Sequence, residues 1–199
     1  MKRVVTASLA SVLLLAACKG TVTVTTPAPP QPSAAASPAT ADTTQPTTGF
    51  KTYTNSQYGF SIQYPAGWTE GEGVSGTVVS FMSEQSAPTD VFKESANVTT
   101  EDLSASGASL AEYIVAANDQ IKNAFPNAQV ISDTDRQIAG IDGHAITYTA
   151  ETQGVTLELI QAFTVKDDRA YVITAASTEE DFPQFEEDFN AIIDSFQLT

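Results

Sequence analysis

The chain runs to 199 residues, 42% hydrophobic and 17% charged, with 24 acidic against 9 basic side chains and a formal charge of -15. Such acidity argues against a nucleic-acid partner and against flat adsorption on anionic lipid, because neutralising phosphates requires clustered Lys and Arg. One cysteine, Cys18, and one histidine, His144, leave no means of forming an internal disulfide or a cysteine- or histidine-rich metal site.

In chain order, Met1-Lys2-Arg3 gives a positive start and Val4 to Ala17 an apolar stretch, shorter than the roughly 20 residues a membrane span needs. Small residues before Cys18 complete a secretory signal, and Leu15-Ala16-Ala17-Cys18 resembles a bacterial lipobox. That resemblance implies cleavage before Cys18, a diacylglyceryl group on its sulfur and acylation of the new amino terminus. Residues 1–17 are then a lipoprotein signal peptide. Each buried methylene contributes about 0.8 kcal/mol, so two or more acyl chains hold a protein stably without a spanning helix. The expected location is the cell membrane or an outer membrane, with the body outside the cytoplasm. Loss of Lys2 and Arg3 leaves 7 basic against 24 acidic side chains, a charge of -17.

From Lys19 to Gly49, nine Thr, six Pro, six Ala and two Ser supply 23 of 31 residues, with no aromatic side chain. A segment so poor in large apolar groups cannot offset the entropy of ordering its backbone. Residues 18–49 are therefore expected to form a disordered tether headed by the lipidated cysteine. A flexible coil of that length averages about 30 Å end to end, and a polyproline-like one reaches about 95 Å.

Residues 50–199 suit one domain, which should bury about 68–70% of its unfolded surface. Tyr58, Phe60, Ile62 and Tyr64 alternate with small or polar residues until Pro65-Ala66-Gly67, predicting a strand with one apolar face. Further strands are expected near 77–83, 93–100, 128–137, 144–151, 155–165 and 169–176, with turns at Asp142-Gly143, Gln153-Gly154 and Asp167-Asp168. Such short connections predict an antiparallel meander. Along 155–165, Leu157, Leu159, Phe163 and Val165 fall on one face and Ile160 and Ala162 on the other, so both faces need cover. Two helices can supply it. Ser109 to Glu112 has capping-box form ahead of Leu110, Tyr113, Ile114, Ala117, Ile121 and Phe125, and Pro126 ends the run. Ser177 to Glu180 repeats that form ahead of a stripe of Phe182, Phe185, Phe189, Ile192, Ile193 and Phe196, with acidic Glu179, Glu180 and Asp181 suited to a helix start. The expected class is α+β, an antiparallel β-sheet flanked by helices.

The run Tyr53-Thr54-Asn55-Ser56-Gln57-Tyr58-Gly59-Phe60-Ser61-Ile62-Gln63-Tyr64-Pro65-Ala66-Gly67-Trp68 resembles the opening of the PsbP superfamily. Ile192-Ile193-Asp194-Ser195-Phe196 is similar to its closing segment, and the superfamily includes bacterial DcrB-type lipoproteins. The resemblance, strongest at those two ends, implies an α/β/α sandwich over residues 50–199. It carries no catalytic role onto the matched positions. Members serve such different ends that the fold says little about activity.

Groupings able to do chemistry are sparse. His144 has Asp142 on its own strand face, but spacing places no nucleophile beside it, and no catalytic residue is expected. Asp133-Thr134-Asp135 could offer oxygens to a hard cation. It is a weak candidate site, because calcium takes about six to eight oxygens and no glycine-bearing calcium loop surrounds the pair. No phosphate-cradling loop or nucleophile elbow is present, and no cofactor is expected. The sequence thus points to a non-enzymatic binding or accessory module, tied to a membrane through lipid on Cys18 and engaging a protein partner. Two other classes stay open: an envelope hydrolase whose site assembles only in three dimensions, and a carboxylate-based divalent-cation binder using Asp133 and Asp135.

Overall fold

The computed structural model describes residues 49–73, 76–85 and 92–199. The expected signal peptide, Cys18 and the tether up to residue 48 lie outside the described residues. The domain opens with β1 (Phe50–Asn55), β2 (Phe60–Pro65), β3 (Thr69–Glu72), β4 (Thr77–Met82) and β5 (Ser95–Asp102). Helix α1 (Leu110–Ala124) precedes β6 (Gln129–Ile138), β7 (Ile141–Thr152), β8 (Val155–Lys166) and β9 (Arg169–Thr178). Helix α2 (Phe182–Asp194) and the short β10 (Gln197–Leu198) follow. Seven strands form one antiparallel sheet in the order β3-β4-β5-β9-β8-β7-β6, and β2 lies between β1 and β10 in a second sheet.

Tight hairpins join the last four strands of the large sheet. Ile138 pairs with Ile141, Thr152 with Val155 and Lys166 with Arg169, so each loop has two residues. All six loop residues have positive φ: Ala139, Gly140, Gln153, Gly154, Asp167 and Asp168. That is the mirror-image turn whose twist matches paired strands. Gln153-Gly154 and Asp167-Asp168 turn as expected, but Asp142-Gly143 does not. The chain reverses at Ala139-Gly140, and Asp142 and Gly143 continue into β7. Gly143 is small for another reason, since a Cβ there would stand 2.8 Å from the Phe163 carbonyl oxygen and 3.0 Å from that of Arg136. It marks a close approach of strands.

The strand alternation gives the large sheet two apolar faces. Tyr171, Ile173 and Ala175 of β9 join Ile160 and Ala162 of β8 on one face, under Phe182, Phe189, Ile192 and Ile193 of α2. Phe60, Ile62 and Tyr64 of β2 complete that core, so the layer beside α2 is a small sheet that the sequence did not disclose. Val172 and Ala176 join Leu157, Leu159 and Phe163 on the other face, under Tyr113, Ala117 and Ile121 of α1. The expected split of β8 residues between faces is the one found. Trp68 meets Phe189 edge-on with ring centroids 6.2 Å apart, and Tyr64 stacks on Phe81 at 4.3 Å.

The helix starts differ from one another. Ser109 caps α1 as expected: its hydroxyl accepts from the Glu112 amide, and the Glu112 carboxylate accepts from the Ser109 amide at 2.9 Å. No second capping box forms at Ser177. That residue is fully buried and still paired in β9, opposite Glu158. Helix α2 begins only after Asp181, whose amide donates to the Thr178 hydroxyl, with Pro183 in the first turn. Among the described residues no helix is long and apolar enough to cross a membrane.

Phe189 is fully buried between Trp68, Phe182 and Phe185. Phe189→Ala is expected to cost about 3–5 kcal/mol in a urea titration, whereas Val115→Ala, at a site 61% exposed, should stay within about 0.5 kcal/mol. Similar losses at the two positions would contradict this account of the core.

Candidate binding surface

Strand β6 forms one end of the large sheet and, among the described residues, pairs only with β7. Apolar burial does little to hold it, since Ile138 alone of its ten residues is buried. Polar contacts on its two faces take over. On the α1 side, register sets Asp135 opposite His144 and Asp133 opposite Ile146. The His144 imidazole therefore lies between the two carboxylates, with Nδ1 3.0 Å from Asp135 Oδ1 and Nε2 in close contact with Asp133 Oδ1. Its ring rests near Phe163, centroids 5.8 Å apart, and its side chain is 7% exposed. Asp133 Oδ2 also accepts from Asn118 Nδ2 of α1 at 3.1 Å, which ties strand to helix. On the opposite side, Arg136 Nη2 donates to Asp194 Oδ1 at 2.7 Å and Nη1 to Asn190 Oδ1 at 2.9 Å, both on α2.

The sequence candidates thus come together, but differently from their spacing. Asp142, two residues from His144, accepts instead from Gln137 Nε2 at 2.8 Å. Asp133 and Asp135 do converge, and what they share is His144. Among the described residues no three His, Cys, Asp or Glu side chains are grouped to hold a metal ion. Asn118 and Arg136 escaped the sequence reading. Asn118 sits on the flank of the apolar face of α1, and nothing in the spacing of Arg136 sets it apart from the other basic residues.

Elsewhere the surface is acidic. Burial raises the Glu158 carboxyl above its ordinary range, and Glu179 and Glu186 add to the shift. Asp188 is raised by burial and then by Glu187. A small open cleft of about 270 Å³ lies at the end of α1, between Phe125, Asn127, Glu151 and Gln153. Large apolar side chains are exposed at Val130 and Ile131, where a bulge interrupts β6–β7 pairing between Val130 and Ser132.

The family model for PsbP-like proteins matches residues 8–198. The chain belongs to the PsbP-like family. The fold agrees with solved structures of low identity. Cyanobacterial PsbP (CyanoP) from Synechocystis is 14% identical with a TM-score of 0.57, over 75% of this chain and 92% of that one. LpqN, involved in cell envelope biogenesis of Mycobacterium tuberculosis, is 13% identical with a TM-score of 0.54, over 70% and 83%. A protein of unknown function from Pseudomonas aeruginosa is 18% identical with a TM-score of 0.53, over 73% and 94%. No curated protein matches the chain. At these identities the likeness concerns the PsbP-like fold itself, and the β6 surface has to be read from its own residues.

Two outcomes follow from these contacts. Removing either clamp, by His144→Ala or Arg136→Ala, is expected to speed amide exchange along β6 while leaving the buried β9 amides slow; unchanged β6 exchange in both variants would show the clamps to be idle. Glu158 binds protons more tightly folded than unfolded, so its contribution to stability falls as pH rises through and above the ordinary carboxylate range. Glu158→Gln should accordingly raise the urea midpoint at neutral pH, with the gain fading in acid; an equal gain at both pH values would contradict the assignment.

Proposed function

We propose that this PsbP-like protein is a lipid-anchored, extracytoplasmic binding module with no catalytic activity of its own, built as a signal peptide (1–17), a lipidated Cys18 with its tether (18–49) and a PsbP-like domain (50–199). The observation that carries the reading is the use made of the sheet: both faces are spent on core, and β6, the one long edge strand among the described residues, bears exposed aspartates and apolar side chains. Surface of that kind recognises a partner. The hydrolase alternative would need His144 beside a hydroxyl, and both its ring nitrogens meet carboxylates instead. The cation alternative is left with little to use: both oxygens of Asp133 and Oδ1 of Asp135 are engaged by His144 and Asn118, so Asp135 Oδ2 alone stays open, where a hard cation takes about six to eight oxygens.

The anchor rests on the lipobox-like Leu15-Ala16-Ala17-Cys18, and the envelope setting is in keeping with the involvement of LpqN in cell envelope biogenesis. The proposed partner is a protein met at the membrane surface. Radiolabelled palmitate should enter the wild-type chain and not Cys18→Ala, which should also leave the membrane fraction on cell breakage. Crosslinking in the native cell, read by mass spectrometry, should join the domain to a reproducible partner. Label that persists in Cys18→Ala would refute the anchor, and turnover of a substrate abolished by one point change would refute the binding-module reading.

A further inference from the structure

We infer that the outer edge of β6, from Ser132 to Ile138, is a docking edge for an extended partner segment rich in lysine or arginine, which adds to the large sheet as a further strand. The inference rests on the binding-module reading and names the surface and the chemistry it uses.

Backbone geometry comes first. A strand at the end of a sheet presents a row of unpaired amides and carbonyls, and extended peptides are commonly captured by such rows. No described strand pairs with the outer side of β6. At the other end of the sheet β3 has four residues against ten in β6, too few for comparable pairing. The bulge between Val130 and Ser132 leaves Ser132–Ile138 as the regular stretch.

Rigidity comes next. His144 and Asn118 hold β6 from one face, and Asn190 and Asp194 hold it from the other. All of these contacts use side chains, so the outward backbone is left free while the strand is already ordered. A preorganised edge loses little further entropy on binding.

Charge then selects the occupant. Side chains of an added strand would lie about 4.5–5.5 Å from those directly opposite on the same face. Asp135 is 93% exposed and Asp133 40% exposed. Asp135 meets His144 through Oδ1 alone, which leaves Oδ2 for an outside donor. A basic residue at alternate positions of the incoming segment would face both carboxylates, and an apolar one could cover Val130, which is 44% exposed. The -15 charge of the chain steers the same class of partner. A second copy fits poorly. Antiparallel pairing about the middle of β6 would set aspartate against aspartate, and like charges directly opposite are destabilising. The charges that keep β6 from pairing with itself therefore admit a segment of opposite sign.

The test uses the full chain purified in detergent and a blocked octapeptide of alternating lysine and valine as probe. Millimolar peptide should slow amide exchange at 132–138 and leave β1 and β3 unchanged. Asp135→Lys should weaken the effect about tenfold, and Asp135→Asn, which keeps the side-chain shape, should weaken it less. N-methylation of alternate peptide residues, which removes backbone donors at constant charge, should abolish it. No protection at β6, or protection indifferent to Asp135→Lys or to N-methylation, would overturn the docking edge, as would self-association of the chain through β6 without peptide. Native crosslinks that fall on another surface would overturn the edge and leave the binding-module reading standing. Peptide protection at β6 with no native partner captured would do the reverse.

Discussion

Strand register in the β6–β9 meander is the constraint from which the rest of this fold follows. Side chains alternate between faces with a period of two, so a slip of one residue would exchange every inward and outward group. Three two-residue hairpins prevent that slip, each with both loop residues at positive φ. Held in this register, β9 is buried over its central eight residues, with Tyr171 and Ile173 toward α2 and Val172 toward α1. A strand buried on both sides cannot stand at a surface, so the sheet needs a layer on each face. Helix α1 supplies one, and α2 shares the other with the small sheet around β2.

The same register fixes what happens where the meander ends. Strand β6 has one neighbour among the described strands and little apolar area to bury, so side-chain contacts decide where it lies. An imidazole beside Phe163 needs partners for its nitrogens, because burying a polar group without them is costly. The pairing of Asp135 with His144 in register brings one partner directly alongside, and Asp133 brings the other. On the opposite face, the Arg136–Asp194 pair is more open to solvent, with the Asp194 side chain 66% exposed, and exposed pairs contribute about 0–1 kcal/mol. Contacts of that size position a strand without welding it. The edge is thereby ordered at small energetic cost and remains presentable to a further chain.

Much of the architecture was legible because it is written in periodicity. The alternating run Phe60, Ile62, Tyr64, the two-sided pattern of 155–165 and the helical stripe from Phe182 each predict an element and a buried face that is found, though α2 ends at Asp194 and Phe196 is buried just beyond it. What escaped was short or polar. The β1 sequence, Phe50 to Asn55, and the β3 sequence, Thr69 to Glu72, form strands through their neighbours rather than through any apolar face of their own, and their residues are exposed or half-buried. The pairing at the candidate site was lost to a single misplaced turn. A reversal at Asp142-Gly143 pairs residue 141 with 144, whereas the reversal at Ala139-Gly140 pairs Asp135 with His144. Asp-Gly is ordinarily a turn signal, and here Gly143 answers instead to the Phe163 carbonyl beside it. An alanine at left-handed φ in the true turn gave no comparable signal.

With both faces of the large sheet consumed by core, strand edges and loops are what remains at the surface of this fold. The charge of this chain then bears on where such an edge can work. If lipid on Cys18 holds the acidic body near a membrane as proposed, charges at that surface would be screened within about 8–10 Å at physiological salt. On that proposal, repulsion from anionic lipid would act only close to the bilayer and would keep β6 from lying flat on it. A partner reaching the aqueous layer with a basic, extended segment would meet the proposed edge there. One carrying acidic side chains at the same positions would be repelled by Asp133 and Asp135, since like charges directly opposite are destabilising.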